Sequence, residues 1–146
     1  MSTPRPIPEG YHAITPYLTT ADVAALIEFT KKAFEAEVNE MMQLPDGSIM
    51  HAEIQIRDSR IMLGMAREEN PPMPGMFYLY VEDCDAAYDK ALAAGGESIM
   101  EPADQFYGDR SGAVRDSEGN QWWFGTRVEE VPPEEAVKRM MGENKE

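Results

Sequence analysis

The chain has one cysteine and two histidines among its 146 residues, and 13 basic side chains against 27 acidic ones. Each shortage excludes something. A lone cysteine, Cys84, rules out an internal disulfide and fits a reducing, cytoplasmic compartment. A net charge of −14 repels nucleic acid and anionic membrane, and it tolerates or attracts cations. The same charge also serves plain solubility. Nowhere is there an apolar run of about 18 residues, the length a membrane-spanning helix needs. The opening stretch Met1-Ser2-Thr3-Pro4-Arg5-Pro6-Ile7-Pro8 lacks the apolar centre of a signal peptide and reads as an extended, proline-rich lead-in.

What is present is repetition. Pro16-Tyr17-Leu18-Thr19-Thr20-Ala21-Asp22 lies over Phe77-Tyr78-Leu79-Tyr80-Val81-Glu82-Asp83, 61 residues on. Asp46-Gly47-Ser48 lies over Tyr107-Gly108-Asp109, and Arg60 to Met65 over Gln121 to Thr126, at the same offset. Such a repeat predicts a pseudo-symmetric fold with a site formed where the halves face each other. Hydrophobic content of 42% supports a packed core for one domain or two closely packed half-domains.

Local patterns give each unit the same element order. Residues 14–19 read as a strand. Thr20 or Asp22 can cap a helix whose apolar positions run from Val23 to Phe34. Strands follow at 36–43, 48–56 and 60–66, with Pro45-Asp46-Gly47 and Arg57-Asp58-Ser59 as turns. Glu68 to Pro74, with three prolines, reads as a linker. The second unit has a strand from Met76 to Val81 and a helix over 84–94 capped by Asp83 and stopped by Gly95-Gly96. A short strand at 97–101, a loop from Pro102 to Tyr107, and strands at 110–116 and 121–127 complete it. Pro132-Pro133-Glu134-Glu135 opens a last helix outside the repeat, with Gly142 as its stop. The predicted fold is α+β: two βαβββ units forming a cupped mixed sheet, plus a C-terminal helix. The domain spans about residues 12–127, its repeats about 12–67 and 75–127, between the lead-in (1–11) and an acidic tail (128–146).

Particular segments carry a family likeness. They are Ile14-Thr15-Pro16-Tyr17-Leu18, Ile27 to Phe34, Asp46-Gly47-Ser48-Ile49-Met50-His51-Ala52-Glu53 and Asp58 to Leu63. Tyr107 to Gly112 and Arg115 to Trp122 add to it. Together they resemble the vicinal oxygen chelate superfamily, which includes glyoxalase I, bleomycin-resistance proteins and extradiol dioxygenases, and most of all its PhnB-like branch. The resemblance implies the cupped fold and a homodimer. It leaves the reaction open, because that superfamily hosts enzymes and pure binding proteins on one scaffold.

Enzymes of this family hold a divalent metal through His, Glu or Gln on the first and last strands of each unit. Carried onto this chain, those positions are Thr15, Met62, Met76 and Trp123. None is an ordinary ligand for Mg, Mn, Ni, Fe or Zn. A slip of one residue brings in only Ile14, Pro16, Ile61, Leu63, Gly75, Phe77, Trp122 or Phe124. No metal cofactor is therefore expected.

Alternation places His51, Glu53 and Gln55 on one strand face, with Met50, Ala52, Ile54 and Ile56 on the apolar one. His51 and Glu53 are candidates for an acid–base pair or a partial metal site; the plainer reading is a polar strand face. His12 precedes the first strand and reaches a metal only in a different register. Cys84 sits at a helix N-terminus between Asp83 and Asp85 and reads as structural. Tyr107-Gly108-Asp109-Arg110 reads as a salt-bridged loop anchor. The cup walls are expected to be Thr15, Tyr17, Thr19, Met62, Gly64, Met76, Tyr78, Tyr80, Gln121 and Trp123, which suit a flat, partly apolar ligand. Three functions follow. The first is metal-independent binding of a small organic molecule, with antibiotic sequestration as one version. The second is a metal-dependent lyase, isomerase or dioxygenase-type enzyme with a site rebuilt around His51 and Glu53. The third is an interaction module with a filled cup.

Overall fold

A computed structural model describes residues 3–142; residues 1–2 and 143–146, the outer ends of the lead-in and the acidic tail, lie outside the described residues. The chain divides into two compact units, Met1–Pro74 and Gly75–Glu146.

Unit one runs β1 (Tyr17–Thr20), α1 (Val23–Phe34), β2 (Glu37–Gln43), β3 (Ile49–Ile56) and β4 (Ser59–Met65). Its mixed sheet has the order β1-β4-β3-β2, with β1 parallel to β4 and the other neighbours antiparallel. Asp22 is the N-cap of α1, its carboxylate accepting the Ala25 N–H at 3.0 Å. Leu26, Ile27, Ala33 and Phe34 are buried on α1. They pack on the sheet face that carries Ala52, Ile54, Ile61 and Leu63, also buried. Each large side chain so placed contributes about 1.5–3 kcal/mol of burial.

Unit two repeats the order: β5 (Met76–Tyr80), α2 (Cys84–Ala93), β6 (Glu97–Asp104), β7 (Asp109–Arg115) and β8 (Gln121–Arg127). Its sheet is β5-β8-β7-β6, and α2 packs on it through Cys84, Tyr88 and Ala91. Trp122, Phe124 and Val114 fill that core. The Trp122 indole N–H donates to Asp116 at 2.8 Å, so the buried ring leaves no polar atom unpaired. The last helix, α3 (Pro133–Met140), buries no residue; it is tied down by Arg139, which donates to Glu129 at 2.7 Å and to the Phe106 carbonyl at 3.3 Å.

Three expectations need correction. The first strand begins at Tyr17 and not at residue 14, because Pro16 has no N–H to give; its carbonyl still accepts the Met62 N–H at 2.9 Å. The strand expected to end at residue 101 runs on to Asp104, through Pro102. Pro102 is tolerated because β6 is the sheet edge and the register breaks between Met100 and Ala103.

The third correction concerns the repeat, which does not keep one offset. Tyr17 pairs with Met62 as Tyr78 pairs with Trp123, both 61 residues apart between units. His51, however, opposes Gly64 as Ser111 opposes Gly125, and that places β3 and β7 at an offset of 60. The cause is a bulge at Met50: Gln43 opposes Ile49, but Met42 opposes His51. The β7–β8 connection restores the offset, because Arg115 and its partner Gln121 are one residue further apart in sequence than the equivalent pair Gln55 and Arg60.

Candidate functional site

In each unit the helix covers one sheet face, and alternation sends every second side chain to the other. On the open face of unit one stand Tyr17 and Thr19 from β1, Arg60, Met62 and Gly64 from β4, and His51, Glu53 and Gln55 from β3. Glu40 and Met42 join them from β2, opposite Glu53 and His51.

The structure brings Tyr17, His51 and Glu53 into one hydrogen-bonded chain. The Tyr17 hydroxyl lies 3.3 Å from His51 Nδ1, and His51 Nε2 lies 3.0 Å from Glu53 Oε2. A carboxylate only accepts, so the network assigns the proton of a neutral ring to Nε2, which leaves Nδ1 to accept from Tyr17. The His51 and Glu53 side chains are 18% and 12% exposed, so the pair is sheltered but reachable. Gly64 makes this possible: the Tyr17 ring lies over it, where a Cβ would collide with the phenol. A groove of about 390 Å³ opens beside the chain, lined also by Met42, Met65, Arg67 and Asn70. A second groove of about 420 Å³ shares Glu40 and Glu53 and is lined on one side by the N-terminal arm. Thr15, Met62 and His12 line it, so His12 lies in the second groove and away from His51.

The open face of unit two holds Met76, Tyr78, Tyr80, Gln121 and Trp123. Tyr78 lies over Gly125 as Tyr17 lies over Gly64. Its hydroxyl partner differs in kind: it donates to Asp109 Oδ2 at 2.8 Å, and Asp109 Oδ1 accepts from Arg127 Nε at 2.7 Å. Asp109 is 1% exposed. Burial first, with Tyr107 and Asp109 adding to it, pushes the Tyr78 phenol well above the usual tyrosine range. Tyr78 therefore keeps its proton and serves as a fixed donor. Trp123 donates to Gln121 Oε1 at 3.0 Å, and the Tyr78 and Tyr80 rings meet edge to face at 5.3 Å. Within the Tyr107–Arg110 segment the acid and the base do not pair with each other. Asp109 takes Arg127, while Arg110 takes Asp85 at 2.6 Å and Asp104 at 3.2 Å. Cys84 is buried, and desolvation first, with the neighbouring Asp85 adding to it, raises its thiol, which weakens it as a nucleophile.

Comparison with known proteins agrees with this architecture. Residues 11–124 match the family model of the Glyoxalase/Bleomycin resistance protein/Dioxygenase superfamily. The sequence is 33% identical over 142 residues to the uncharacterized protein Rv0887c of Mycobacterium tuberculosis, covering 88% of this chain and 82% of that one. The chain belongs to this superfamily. Among solved structures, TioX from Micromonospora sp. ML1 is similar at a TM-score of 0.68 and 20% identity, over 81% of this chain and all of that one (100%). A PhnB protein from Bacillus cereus is similar at a TM-score of 0.64 and 18% identity, over 79% and 99%. At those identities the two share the fold.

The superfamily's metal positions can now be tested against the side chains that occupy them. Thr15 and Met62 lie in unit one, and Met76 and Trp123 in unit two. A hydroxyl, two thioethers and an indole do not make a donor set for a hard or borderline divalent ion. Among the described residues no three of His, Cys, Asp and Glu come together as a ligand cluster. His51 already engages both ring nitrogens. The four side chains at the superfamily's metal positions do not fit a divalent metal.

Sequence reasoning missed Arg60, Tyr11, Glu40 and Met42. Glu40 and Met42 carried a usable signal, since alternation along β2 puts both on the face of Glu53 and His51. Arg60 carried the same signal, two residues before Met62 on β4, whereas Tyr11 carried none, because its meeting with Arg60 depends on how the lead-in folds back.

Proposed function

We propose that this superfamily member binds a small, partly aromatic organic molecule on its open sheet faces without using a divalent metal. The observation that carries the reading is the 390 Å³ groove of unit one, walled by Tyr17, Met42 and Met65 and floored by His51 and Glu53. Its volume lies within the range of about 300–1,000 Å³ common to small-molecule sites. An aromatic and thioether wall with two polar groups at the base suits stacking plus one oriented hydrogen bond. On unit two, Met76, Tyr80 and half-exposed Tyr78 offer the same kind of surface. Sequestration of an antibiotic is one concrete form of such binding. The exposed apolar side chains Ile14, Tyr17, Met73 and Met76 also support a homodimer, which sedimentation velocity tests. A cytoplasmic location completes the proposal, and cell fractionation tests it.

The test is a screen of flat aromatic compounds against chelator-treated protein, followed by thermal shift and calorimetry. Saturable binding at one site, weakened by Tyr17→Ala, supports the reading. Absence of any binder at millimolar concentration contradicts it.

A second reading is favoured by one observation, the Tyr17–His51–Glu53 chain. A proton leaving a bound ligand for the Tyr17 oxygen displaces the Tyr17 proton onto His51 Nδ1, and Glu53 stabilises the imidazolium so formed. Returning that proton elsewhere on the ligand is isomerase chemistry, and loss of a leaving group is lyase chemistry. His51→Gln tests the second reading: it abolishes any turnover that the wild-type chain shows, and turnover that survives in it contradicts the reading.

A further inference from the structure

The second groove of unit one is built differently from the first. One wall is the N-terminal arm, whose Pro6, Ile7, Pro8 and Tyr11 line about 420 Å³ together with Met62 and Arg60. Arg60 projects from β4 on the open face, opposite Gln55. Two contacts hold its guanidinium. Nε donates to Gln55 Oε1 at 3.1 Å, and Cζ lies 4.6 Å from the centroid of the Tyr11 ring. Gly10, at φ +88°, lets the arm pass against the guanidinium, where a Cβ would stand 2.6 Å from Nη2.

The other strand arginines differ. Arg110, Arg115 and Arg127 face carboxylates at 2.6, 3.7 and 2.7 Å. Among the described residues, Arg60 has no carboxylate within ion-pair distance, and neither Nη has a hydrogen-bond acceptor. In a chain with 27 acidic side chains, a half-buried guanidinium left without an acid is a conspicuous exception. Its Nε and one face of its plane are occupied by protein, so its orientation is set before a ligand arrives. A guanidinium fixed in this way recognises a planar or tetrahedral oxyanion through paired N–H donors.

We propose that Arg60 is the anchor of a ligand oxyanion, a carboxylate or phosphoryl group, in a subsite walled by the N-terminal arm. This inference rests on the small-molecule reading above and deepens it. The neighbouring carboxylates of Glu53 and Glu40 line the same groove. They reject a purely anionic molecule and accept one that also carries a hydrogen-bond donor. The ligand class is therefore an aromatic compound with an oxyanion at one end and a donor further along.

The experiment titrates the full chain at neutral pH with 4-hydroxybenzoate and with its uncharged amide, 4-hydroxybenzamide, following backbone amides of β3 and β4 by NMR. The expected result is at least tenfold tighter binding of the carboxylate, with the preference reduced to less than twofold in Arg60→Gln. The corresponding arylphosphonate distinguishes a phosphoryl from a carboxylate site by whichever binds tighter. Equal binding of acid and amide to the wild-type chain overturns the subsite and leaves the small-molecule reading standing. A preference that survives in Arg60→Gln also overturns it. If neither probe shifts any open-face amide, the subsite fails, while the small-molecule reading stands or falls by the wider screen of aromatic compounds. The wild-type comparison needs no variant, so a folding defect in Arg60→Gln does not blunt the test.

Discussion

The Tyr17 ring lies flat across Gly64, and the absence of a side chain at that glycine aims the Tyr17 hydroxyl at His51. The same device recurs at Tyr78 and Gly125, where the hydroxyl meets Asp109 instead. One scaffold feature is thus used twice, once for a sheltered proton-bearing chain and once for a locked structural donor. The two glycines are predicted to respond differently to a methyl group. Gly64→Ala displaces a half-exposed ring and costs about 1 kcal/mol, whereas Gly125→Ala must move a ring tied to a buried carboxylate and costs about 2–3 kcal/mol. Urea denaturation of both variants checks the order. Gly64→Ala also weakens binding in the unit-one groove, because Tyr17 no longer lies along its wall.

Asp109 is buried between Tyr78 and Arg127, so removing either partner leaves a carboxylate short of donors. Tyr78→Phe is predicted to lower stability by about 1–2 kcal/mol. Arg127→Met is predicted to cost at least as much, since a buried charge then lacks its counter-charge. Equilibrium unfolding in urea measures both. The double variant loses less than the sum of the single ones, since both act through Asp109.

Alkaline pH provides an independent check on the same cluster. Burial raises the Tyr78 phenol above its ordinary value, so the unfolded chain releases this proton at a lower pH than the folded chain. Stability contributed through Tyr78 is complete below the ordinary tyrosine pKa of about 10 and falls as pH rises beyond it. The wild type is therefore predicted to lose stability above that pH more steeply than Tyr78→Phe. Parallel curves for the two proteins would contradict the assignment.

On the acid side, Asp85 is held below the usual carboxylate range by hydrogen bonds from Arg110. Its contribution is present above the ordinary aspartate pKa of about 3.9 and is lost as pH falls through the lower folded value. Asp85→Asn is predicted to be slightly less stable than wild type at pH 7 and to converge with it at about pH 2, as read from denaturant midpoints. The effect is small, because the pair is on the surface.

Much of the fold was legible because its signals are local. Asp22 and Asp83 each sit before an apolar helical run, and both are N-caps. The turn glycines Gly47 and Gly108 both take positive φ, as the repeat implies. Strand Gln121–Arg127 has the limits its alternation predicts. Pro102 misled because a proline argues against a strand in general, and only the sheet order shows that β6 is an edge. The Met50 bulge was hidden because the longer β7–β8 connection cancels it, leaving a constant offset at both ends of each unit. Among site residues, His51 and Glu53 were visible through alternation along a single strand. Their link to Tyr17 depends on the sheet placing β1 beside β4, with Gly64 between the tyrosine and the histidine. Arg60 and Tyr11 lie 49 residues apart and meet only through tertiary folding.

The central claim, binding of an organic molecule without a divalent metal, is tested most directly with methyl-labelled methionine NMR on chelator-treated protein. Met42, Met50 and Met65 line one groove of unit one and Met62 the other, so four probes report from the proposed site. The account predicts saturable shifts of these methyl signals when an aromatic ligand is added, unchanged by subsequent Ni, Mn, Zn or Fe. If the shifts appear only after one of those metals is added at one ion per chain, and His51→Ala abolishes them, the account is wrong and the chain is a metalloenzyme.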